Sequence, residues 1–354
     1  SPDDDLTEGA GAAYVFKRED GNWTQEAYVK AGDTGVKNYF GWSVSISPDG
    51  GTFAVGAIGA DAAPTDDSSA FIGAVYVFAK QASAWEQEAK LIASIPKNGA
   101  HFGSSLAMSE TGDTVAVAAH YDNSGDTGVD ANQTDTSAAF SGAVYVFRRS
   151  NSAWAEKSFI KASNTGKEDL FGTSLALSAD GHTLAIGAVG EGSRATGVGG
   201  DQLDDLAVGA GAVYVFTQTD GAWSQQAYVK ASNTNAGDSF GQAVALAADG
   251  NTLAVSALLE QSESSGLSGD ETNNRRVDVG AVYLFTRSGM AWSQQKYLKA
   301  SNAAPDDEFG QALALSGDAR TLAVGSSRER SKASGINGDQ SDRSVLGAGA
   351  VYLY

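Results

Sequence analysis

The apolar residues of the chain fall in short runs that alternate with polar, glycine-containing segments. One run, residues 142–147 (GAVYVF), recurs almost letter for letter along the sequence. Its copies begin at Gly11, Gly73, Gly142, Gly211, Gly280 and Gly349. The four intervals from Gly73 onward are equal in length, and the first interval is slightly shorter. A fixed period of this kind predicts a repeat fold in which each unit is one supersecondary element packed against its neighbours.

Each period contains four predicted strands, which we name A to D and illustrate with the third repeat. Strand A begins at Phe171, and the Asp180-Gly181 pair after it predicts a tight hairpin into strand B at Thr183. A long polar connection leads to strand C, the GAVYVF element, and strand D runs from Trp223 to a terminal Lys-Ala pair. Four short strands without helical periodicity predict a β-propeller blade. A parallel β-helix is the alternative, but its rungs are shorter and lack Asp-Gly hairpins.

The repeat runs through the whole length, so we predict a single all-β domain over residues 1–354. The predicted repeats are 40–101, 102–170, 171–239, 240–308 and 309–354, with 1–39 completing the closing blade. The chain alone then supplies a β-propeller of five four-stranded antiparallel blades. The alternative is part of a six- or seven-bladed ring, and because strand C occurs six times the mode of ring closure stays open.

The order Phe-Gly, then Val55-Gly56-Ala57, then the GAVYVF element resembles the FG-GAP repeat of the integrin α-subunit propeller and its bacterial relatives. The resemblance covers essentially the whole chain in five copies. The sequence departs from the family's Gly-Ala-Pro signature, since other residues replace the proline: Ile58, His120, Val189, Leu258 and Ser327. It departs also between strands A and B, where a hairpin with one acid replaces the family's Asp-x-Asp-x-Asp-Gly calcium loop. The family's calcium sites are therefore not carried over.

The composition narrows the choice of partners. A net charge of −19 argues against nucleic acid and anionic lipid, and favours cations unless the acids serve solubility alone. No apolar stretch approaches the roughly 18 residues of a membrane span, so we predict no membrane insertion. The absence of cysteine excludes disulfides and thiolate chemistry. The loop-like start is typical of a mature or excised fragment, with any export signal outside it.

The connection between strands B and C is long, polar and acidic in every repeat but the first. Such loops project from a scaffold and commonly carry function. Four of them share a pattern at the spacing of the repeat, and we predict that these side chains form the ligand-binding loops: Asp130, Asn132, Asp135, Asp201, Asp204, Asp270, Asn273, Asp339 and Asp342. The shorter first connection carries Asp61, Asp66 and Asp67 instead.

Within these loops, the candidate metal ligands are Asp201 with Asp204 and Asp339 with Asp342. Oxygen-bearing side chains three residues apart behind a glycine can contribute to a Ca²⁺ site, which takes six to eight oxygen ligands. Ca²⁺ is therefore the candidate cofactor. The alternative is that the side chains cap their own backbone in Asx-turns, because the loops lack the dense alternation of acids found in a calcium loop.

Two further features recur. Polar side chains two residues before Phe-Gly are predicted to satisfy backbone donors near strand A: Asn38, Asp169, Asp238 and Asp307. The tryptophans of strand D are predicted to pack between blades, with sugar stacking as the alternative: Trp23, Trp85, Trp154, Trp223 and Trp292. Trp42 is the exception, because a tryptophan follows Phe-Gly only in the first repeat.

No catalytic residue is predicted. His101, His120 and His182 fall at three different repeat positions, and none lies in a nucleophile motif or at metal-ligand spacing. A glycosidase-like carboxylate pair from different blades is the alternative, although nothing in the sequence selects one.

The resemblance and the acidic loops together predict a non-catalytic recognition or adhesion module that binds a protein or glycan, with assistance from Ca²⁺. We expect it outside the cell or at the cell surface, with the periplasm as the alternative. The competing hypotheses are a polysaccharide hydrolase or lyase, and a structural unit of a larger chain or cell-surface assembly.

Overall fold

The computed structural model describes residues 7–60, 71–82 and 84–354. The chain divides into two compact units, unit 1 (Ser1–Lys161) and unit 2 (Ala162–Tyr354). The regular elements of the described residues are all β-strands. In this part of the chain, no helix has the length and apolar character needed to cross a membrane. The acids of the first B to C connection, Asp61, Asp66 and Asp67, lie outside the described residues.

Unit 1 contains a two-stranded hairpin and two four-stranded antiparallel sheets. The hairpin pairs β1 with β2, and the sheets have the orders β3-β4-β5-β6 and β7-β8-β9-β10. The strands are β1 (Ala13–Glu19), β2 (Asn22–Val29), β3 (Phe40–Ile46), β4 (Thr52–Ala57), β5 (Ala74–Gln81), β6 (Ala84–Leu91), β7 (Leu106–Met108), β8 (Thr114–Ala119), β9 (Ala143–Ser150) and β10 (Ala153–Ile160).

Unit 2 contains two four-stranded sheets, β11 to β14 and β15 to β18, and one three-stranded sheet, β19 to β21. Each sheet is antiparallel, with its strands in chain order. The strands are β11 (Phe171–Leu177), β12 (Thr183–Ala188), β13 (Ala212–Thr219), β14 (Ala222–Val229), β15 (Phe240–Leu246), β16 (Thr252–Ala257), β17 (Ala281–Ser288), β18 (Ala291–Leu298), β19 (Phe309–Leu315), β20 (Leu322–Ser326) and β21 (Ala350–Leu353).

The structure confirms the predicted fold class, all-β with five propeller-type blades that are mostly four-stranded. One strand is shorter than predicted, since strand A of the second repeat begins at Leu106 rather than at Phe102. The amide of Ser104 there donates to the carbonyls of both His101 and Ala118, and this irregular turn interrupts the ladder. The single domain, and the role of residues 1–39 in a closing blade, stay predictions.

The Asp-Gly pairs form the predicted tight hairpins between strands A and B. In the third repeat, Gly181 has a left-handed φ of 72° and donates its amide to the Ser178 carbonyl at 2.9 Å. The Asp180 carboxylate accepts hydrogen bonds from the Ser178 hydroxyl and the His182 amide. This acid thus stabilises its own turn, in place of the calcium loop found in the family.

In four GAVYVF elements the glycine, namely Gly11, Gly73, Gly211 or Gly280, lies against the Phe-Gly pair that opens the next repeat. Gly211 has a φ of 80°, and a Cβ added to it would lie 2.1 Å from the carbonyl oxygen of Phe240. No side chain fits at that distance, so glycine is required for both its conformation and its size. The same parallel bridge joins Gly11 to Phe40 and Gly73 to Phe102.

Three of the five strand D tryptophans pack against the preceding repeat, as predicted. The indole nitrogens of Trp85, Trp154 and Trp292 donate to strand D residues one repeat earlier: Glu26 at 3.0 Å, Glu88 at 3.2 Å and Gln226 at 2.9 Å. In contrast, Trp23 in the N-terminal hairpin is 67% exposed.

Candidate functional site

The predicted site residues lie in the connections between strands B and C. We call these connections loop 2 (residues 120–142), loop 3 (189–211), loop 4 (258–280) and loop 5 (327–349). Loop 2 belongs to unit 1 and the other three to unit 2. Within unit 2 the three loops connect equivalent strands and leave their sheets at equivalent ends.

In unit 2, the predicted aspartates accept a hydrogen bond from the backbone amide two residues further on. Their donors are Leu203 for Asp201 (2.9 Å), Leu206 for Asp204 (2.8 Å), Thr272 for Asp270 (2.8 Å), Ser341 for Asp339 (2.9 Å) and Ser344 for Asp342 (2.8 Å). This geometry is that of an Asx-turn. Asn273 instead accepts from the amide of Glu263 across loop 4, at 3.0 Å.

In loop 2, the predicted side chains also accept hydrogen bonds from backbone amides. Asp130 accepts from the amide of Phe159 at 3.1 Å, and its own amide donates to the Phe159 carbonyl at 2.6 Å. Asn132 accepts from the amide of Thr134 at 3.0 Å. Asp135 accepts from the amides of Ser137 at 2.9 Å and Gly125 at 3.1 Å. These side chains therefore order the loop that carries them.

The candidate metal ligands each have a backbone partner in their own loop. Asp204 also accepts from the Arg194 side chain at 2.9 Å, and this hydrogen bond holds the pKa of the carboxyl below its ordinary value. Among the described residues, no group of three or more His, Cys, Asp or Glu side chains is placed to hold a metal ion. Ca²⁺ binding at Asp201 with Asp204, or at Asp339 with Asp342, stays a prediction that a calcium titration of chelator-treated protein would test.

A buried polar network that the sequence reasoning missed anchors loop 3. The carboxylate of Glu191 follows strand β12 and accepts from Lys230 at 2.7 Å and from Asn164 at 3.1 Å. The side chains of Glu191 and Lys230 are 1% and 0% exposed. Asn164 donates also to the backbone carbonyl of Gln202 in the loop, at 2.9 Å. The network therefore links loop 3 to the end of strand β14, which Lys230 follows, and to the segment before strand β11, which contains Asn164.

The same network recurs in the next two repeats. In loop 4, Glu260 accepts from Lys299 at 2.6 Å and from Asn233 at 2.9 Å. In loop 5, Glu329 accepts from the side chain of Asn302 and the amide of Ser331, both at 2.9 Å. The sequence contains the signal for this network, because the glutamates and asparagines recur with the same period as the strands.

Burial shifts the proton affinities of these groups. Burial lowers the pKa of Lys299, and the charge of Glu260 opposes that shift. Burial also raises the pKa of Asp238 to about 7, against the hydrogen bond that it accepts from the amide of Asn235. The equivalent Asp169 and Asp307 likewise accept from the amide three residues earlier. These three acids accept from backbone amides, as predicted, but the donors lie in the turn before strand A and not at the start of the strand.

The three loops of unit 2 expose apolar side chains at two recurring positions. The first position holds Val198, Leu267 and Ile336, which are 37%, 62% and 93% exposed. The second holds Val208, Val277 and Leu346, which are 76%, 57% and 79% exposed. Exposed apolar side chains therefore recur at the same two positions of each of these loops.

The backbone at these positions is ordered. Val198 forms a bridge with Val229, and Leu267 forms one with Leu298 at the end of strand D. At the second position, the Val208 carbonyl accepts from the amide of Gly237 at 3.0 Å. The loops thus present their apolar side chains from a backbone that is held in place before any partner binds.

Four-stranded antiparallel blades with their strands in chain order are characteristic of the β-propeller class. The sequence of the repeat then shows which family of propellers is present. The model of the FG-GAP repeat matches residues 23–78, 85–147, 223–285 and 292–354, which together make up more than half of the chain. The protein therefore belongs to the FG-GAP repeat family. Among curated proteins, none matches the sequence significantly.

Solved structures with a similar fold are distant in sequence. The periplasmic gluconolactonase PpgL of Pseudomonas aeruginosa is 16% identical, with a TM-score of 0.49 over 88% of this chain and 70% of that one. A putative 6-phosphogluconolactonase of Bacteroides uniformis is 11% identical, with a TM-score of 0.43 over 98% and 97%. Sqt1 of Chaetomium thermophilum is 13% identical, with a TM-score of 0.49 over 97% and 68%. Likeness at this level carries no inference about activity.

Proposed function

We propose that the protein is a non-catalytic recognition module whose loops 3, 4 and 5 bind a protein partner. The observation that carries this proposal is the pair of apolar positions that recur, exposed, on all three loops. Burying one such side chain in an interface is worth about 1.5–3 kcal/mol, so several of them supply substantial affinity. Their ordered backbone lowers the entropy cost of binding.

Charge supports a basic partner. The chain carries a net charge of −19, and acids outnumber bases by three in loop 3 and by three in loop 4. Loop 5 differs, because its four basic residues outnumber its three acids. Complementary charge increases the rate of association and selects against acidic partners. An apolar and basic protein surface fits this arrangement better than a glycan, which would leave the aliphatic side chains without apolar contacts.

The proposal includes a location outside the cell or at the cell surface, with the periplasm as the alternative compartment. It also includes Ca²⁺ as a candidate stabiliser of the loops through Asp339 and Asp342. A melting temperature that rises with millimolar Ca²⁺, and that no longer responds in Asp339→Asn, would support this part of the proposal. A calcium-independent melting temperature would remove it.

The binding surface can be tested with a random-peptide display library. Selection on the intact protein is expected to enrich peptides that combine Lys or Arg with aromatic or aliphatic residues. The most enriched peptide is then synthesised and titrated by calorimetry. The triple variant Val208→Ser, Val277→Ser, Leu346→Ser should bind it at least tenfold more weakly, a loss of about 1.4 kcal/mol or more in binding free energy.

Met290 supplies a matched control. It is 78% exposed in the turn between β17 and β18, at the opposite end of the sheet from loop 4. Met290→Ser should leave the affinity within twofold. Equal weakening by both variants, or by neither, would mean that the site lies elsewhere. Turnover of a polysaccharide without stable binding of any peptide would favour the hydrolase or lyase hypothesis instead.

A further inference from the structure

Unit 1 contains a row of aromatic rings that the recognition loops of unit 2 do not use. We call it the aromatic strip, and its rings in order are Trp42, Tyr39, Phe71, His101, Tyr121 and Phe140. Successive ring centroids are 6.4, 6.3, 5.8, 4.8 and 5.1 Å apart. His120 lies beside the row, 5.8 Å from His101 and 4.1 Å from Tyr121. The strip contains side chains from the first two repeats and also Tyr39, which directly precedes the first repeat.

The backbone beneath the strip has an unfavourable conformation for such large side chains. Tyr39, Phe71, His101 and Phe140 have φ values of 52°, 43°, 55° and 55°. Bulky residues rarely adopt this left-handed region, and each costs on the order of 1–3 kcal/mol there. Hydrogen bonds hold the strained backbone, for example from the Tyr39 amide to the Gly9 carbonyl at 2.8 Å and from the Phe140 amide to the Asn123 side chain at 2.9 Å.

The repeat shows that the fold does not require aromatic residues at these positions. In unit 2 the positions equivalent to Phe140 are occupied by Gly209, Asp278 and Gly347, again with positive φ. The positions equivalent to His101 are occupied by Leu170, Ser239 and Glu308. The left-handed backbone therefore belongs to the fold, while the rings belong to unit 1 alone. What distinguishes unit 1 is therefore the concentration of aromatic rings on this backbone, and that concentration calls for a functional explanation.

The strip also offers uncharged polar groups to a ligand. Trp42 is 57% exposed and Phe140 is 44% exposed, and the rings between them are partly exposed. Burial lowers the pKa of His101, and burial together with His101 lowers that of His120 to about 4, so both imidazoles are neutral at pH 7. Within the described residues, these imidazoles and the hydroxyls of Tyr39 and Tyr121 have no hydrogen-bond partner.

We propose that the aromatic strip is a binding site for a neutral oligosaccharide. A pyranose ring has an apolar face of C–H groups and a rim of hydroxyls. The apolar faces of successive sugars stack on the row of rings, much as other flat groups with a hydrophobic face pack on aromatic side chains. The hydroxyl rim donates to and accepts from the unpartnered imidazoles and phenols, which satisfies polar groups on both sides. This site shares no residue with loops 3 to 5, and its ligand is of a different class.

The test uses the intact protein and soluble neutral hexasaccharides with β-1,4, β-1,3 and α-1,4 linkages. Saturation-transfer NMR identifies a bound sugar, and calorimetry gives its affinity. At least one hexasaccharide should bind saturably. Trp42→Ser should weaken this binding at least tenfold, and Trp23→Ser should leave it unchanged, because Trp23 is similarly exposed but lies outside the strip.

A second variant separates binding from folding. Phe140→Gly installs the residue found at the equivalent Gly209 and relieves the strain, so the melting temperature should be unchanged or raised while sugar binding falls at least tenfold. The proposal is overturned if no hexasaccharide binds at a concentration of about 10 mM. It is also overturned if the sugar binds Trp42→Ser and Phe140→Gly as well as it binds the unmodified protein, or if tetramethylammonium binds the strip and the sugars do not.

Discussion

The buried ion pair between Lys299 and Glu260 makes a strong prediction about stability. Both side chains are 0% exposed, and the two charged atoms lie 2.6 Å apart. At an effective dielectric constant of about 20, this separation gives an attraction of about 6 kcal/mol. Removal of both charges from water costs several kcal/mol for each ion, so the pair as a whole contributes little net stability. The loss of one partner, in contrast, leaves the other charge buried and uncompensated.

Lys299→Met should therefore lower the free energy of unfolding by about 3–5 kcal/mol. The double variant Glu260→Gln, Lys299→Met should lose only about 1 kcal/mol, because the amide oxygen still accepts from Asn233 and Ser262 while no charge remains buried. Urea titrations followed by circular dichroism measure these differences at pH 7.

The first repeat provides an internal precedent for the double variant. Ala60 and Ile92 occupy the positions of Glu260 and Lys299, and Ala60 is fully buried there. A matched control is Arg194→Met, since Arg194 pairs with Asp204 at 2.9 Å while its side chain is 60% exposed. That variant should cost less than about 1 kcal/mol. If the effects of Glu260→Gln and Lys299→Met simply add, or if Lys299→Met costs no more than the control, the reasoning from burial is wrong.

Two further predictions concern a glycine and a carboxyl group. Gly211→Ala should lower the free energy of unfolding by more than about 3 kcal/mol, because its Cβ would lie 2.1 Å from the Phe240 carbonyl oxygen. Gly221 has a similar φ but open space around it, so Gly221→Ala should lose only about 1–2 kcal/mol. Thermal melts measure both losses, and equal losses would refute the close contact. Burial raises the pKa of Asp238 from 3.8 to about 7, so its contribution to stability is present below pH 4 and is lost as the pH rises to 7. Asp238→Asn should therefore gain up to about 4 kcal/mol relative to the unmodified protein between pH 4 and pH 8, and parallel pH profiles would contradict this.

The fold was predictable because its signals are local. Asp180-Gly181 specifies a tight turn through a side-chain cap and a left-handed glycine, and both operate within a few residues. The same Asp-Gly pair recurs in the first and fourth repeats, as Asp49-Gly50 and Asp249-Gly250. The shortened strand β7 was not predictable, because its interruption depends on hydrogen bonds from Ser104 to two carbonyls, one of which, that of Ala118, lies on the next strand.

The candidate site was predictable only in part. The acids of the loops were visible, and their Asx-turns could be weighed against metal binding from local pattern alone. The network beneath them was missed although its glutamates recur with the repeat, because Lys230 and Glu191 lie 39 residues apart and a lysine at the end of a strand is ordinarily exposed. The exposed apolar positions were also missed, since an apolar residue within a polar loop, such as Val208, does not reveal from sequence whether its side chain is buried.

Comparison of equivalent positions in the repeats distinguishes two kinds of position. Positions that keep their residue type, such as the glycine before strand C, meet a backbone constraint that recurs, as Gly73, Gly211 and Gly280 show by their close contact with the next Phe-Gly pair. Positions where the repeats differ in residue type but share one backbone conformation are free of that constraint. Phe140 and Gly209 occupy such a position with φ values of 55° and 69°. Since glycine is the favoured residue there, the phenylalanine adds strain to the blade, as expected of a side chain that contacts the ligand we propose for the aromatic strip.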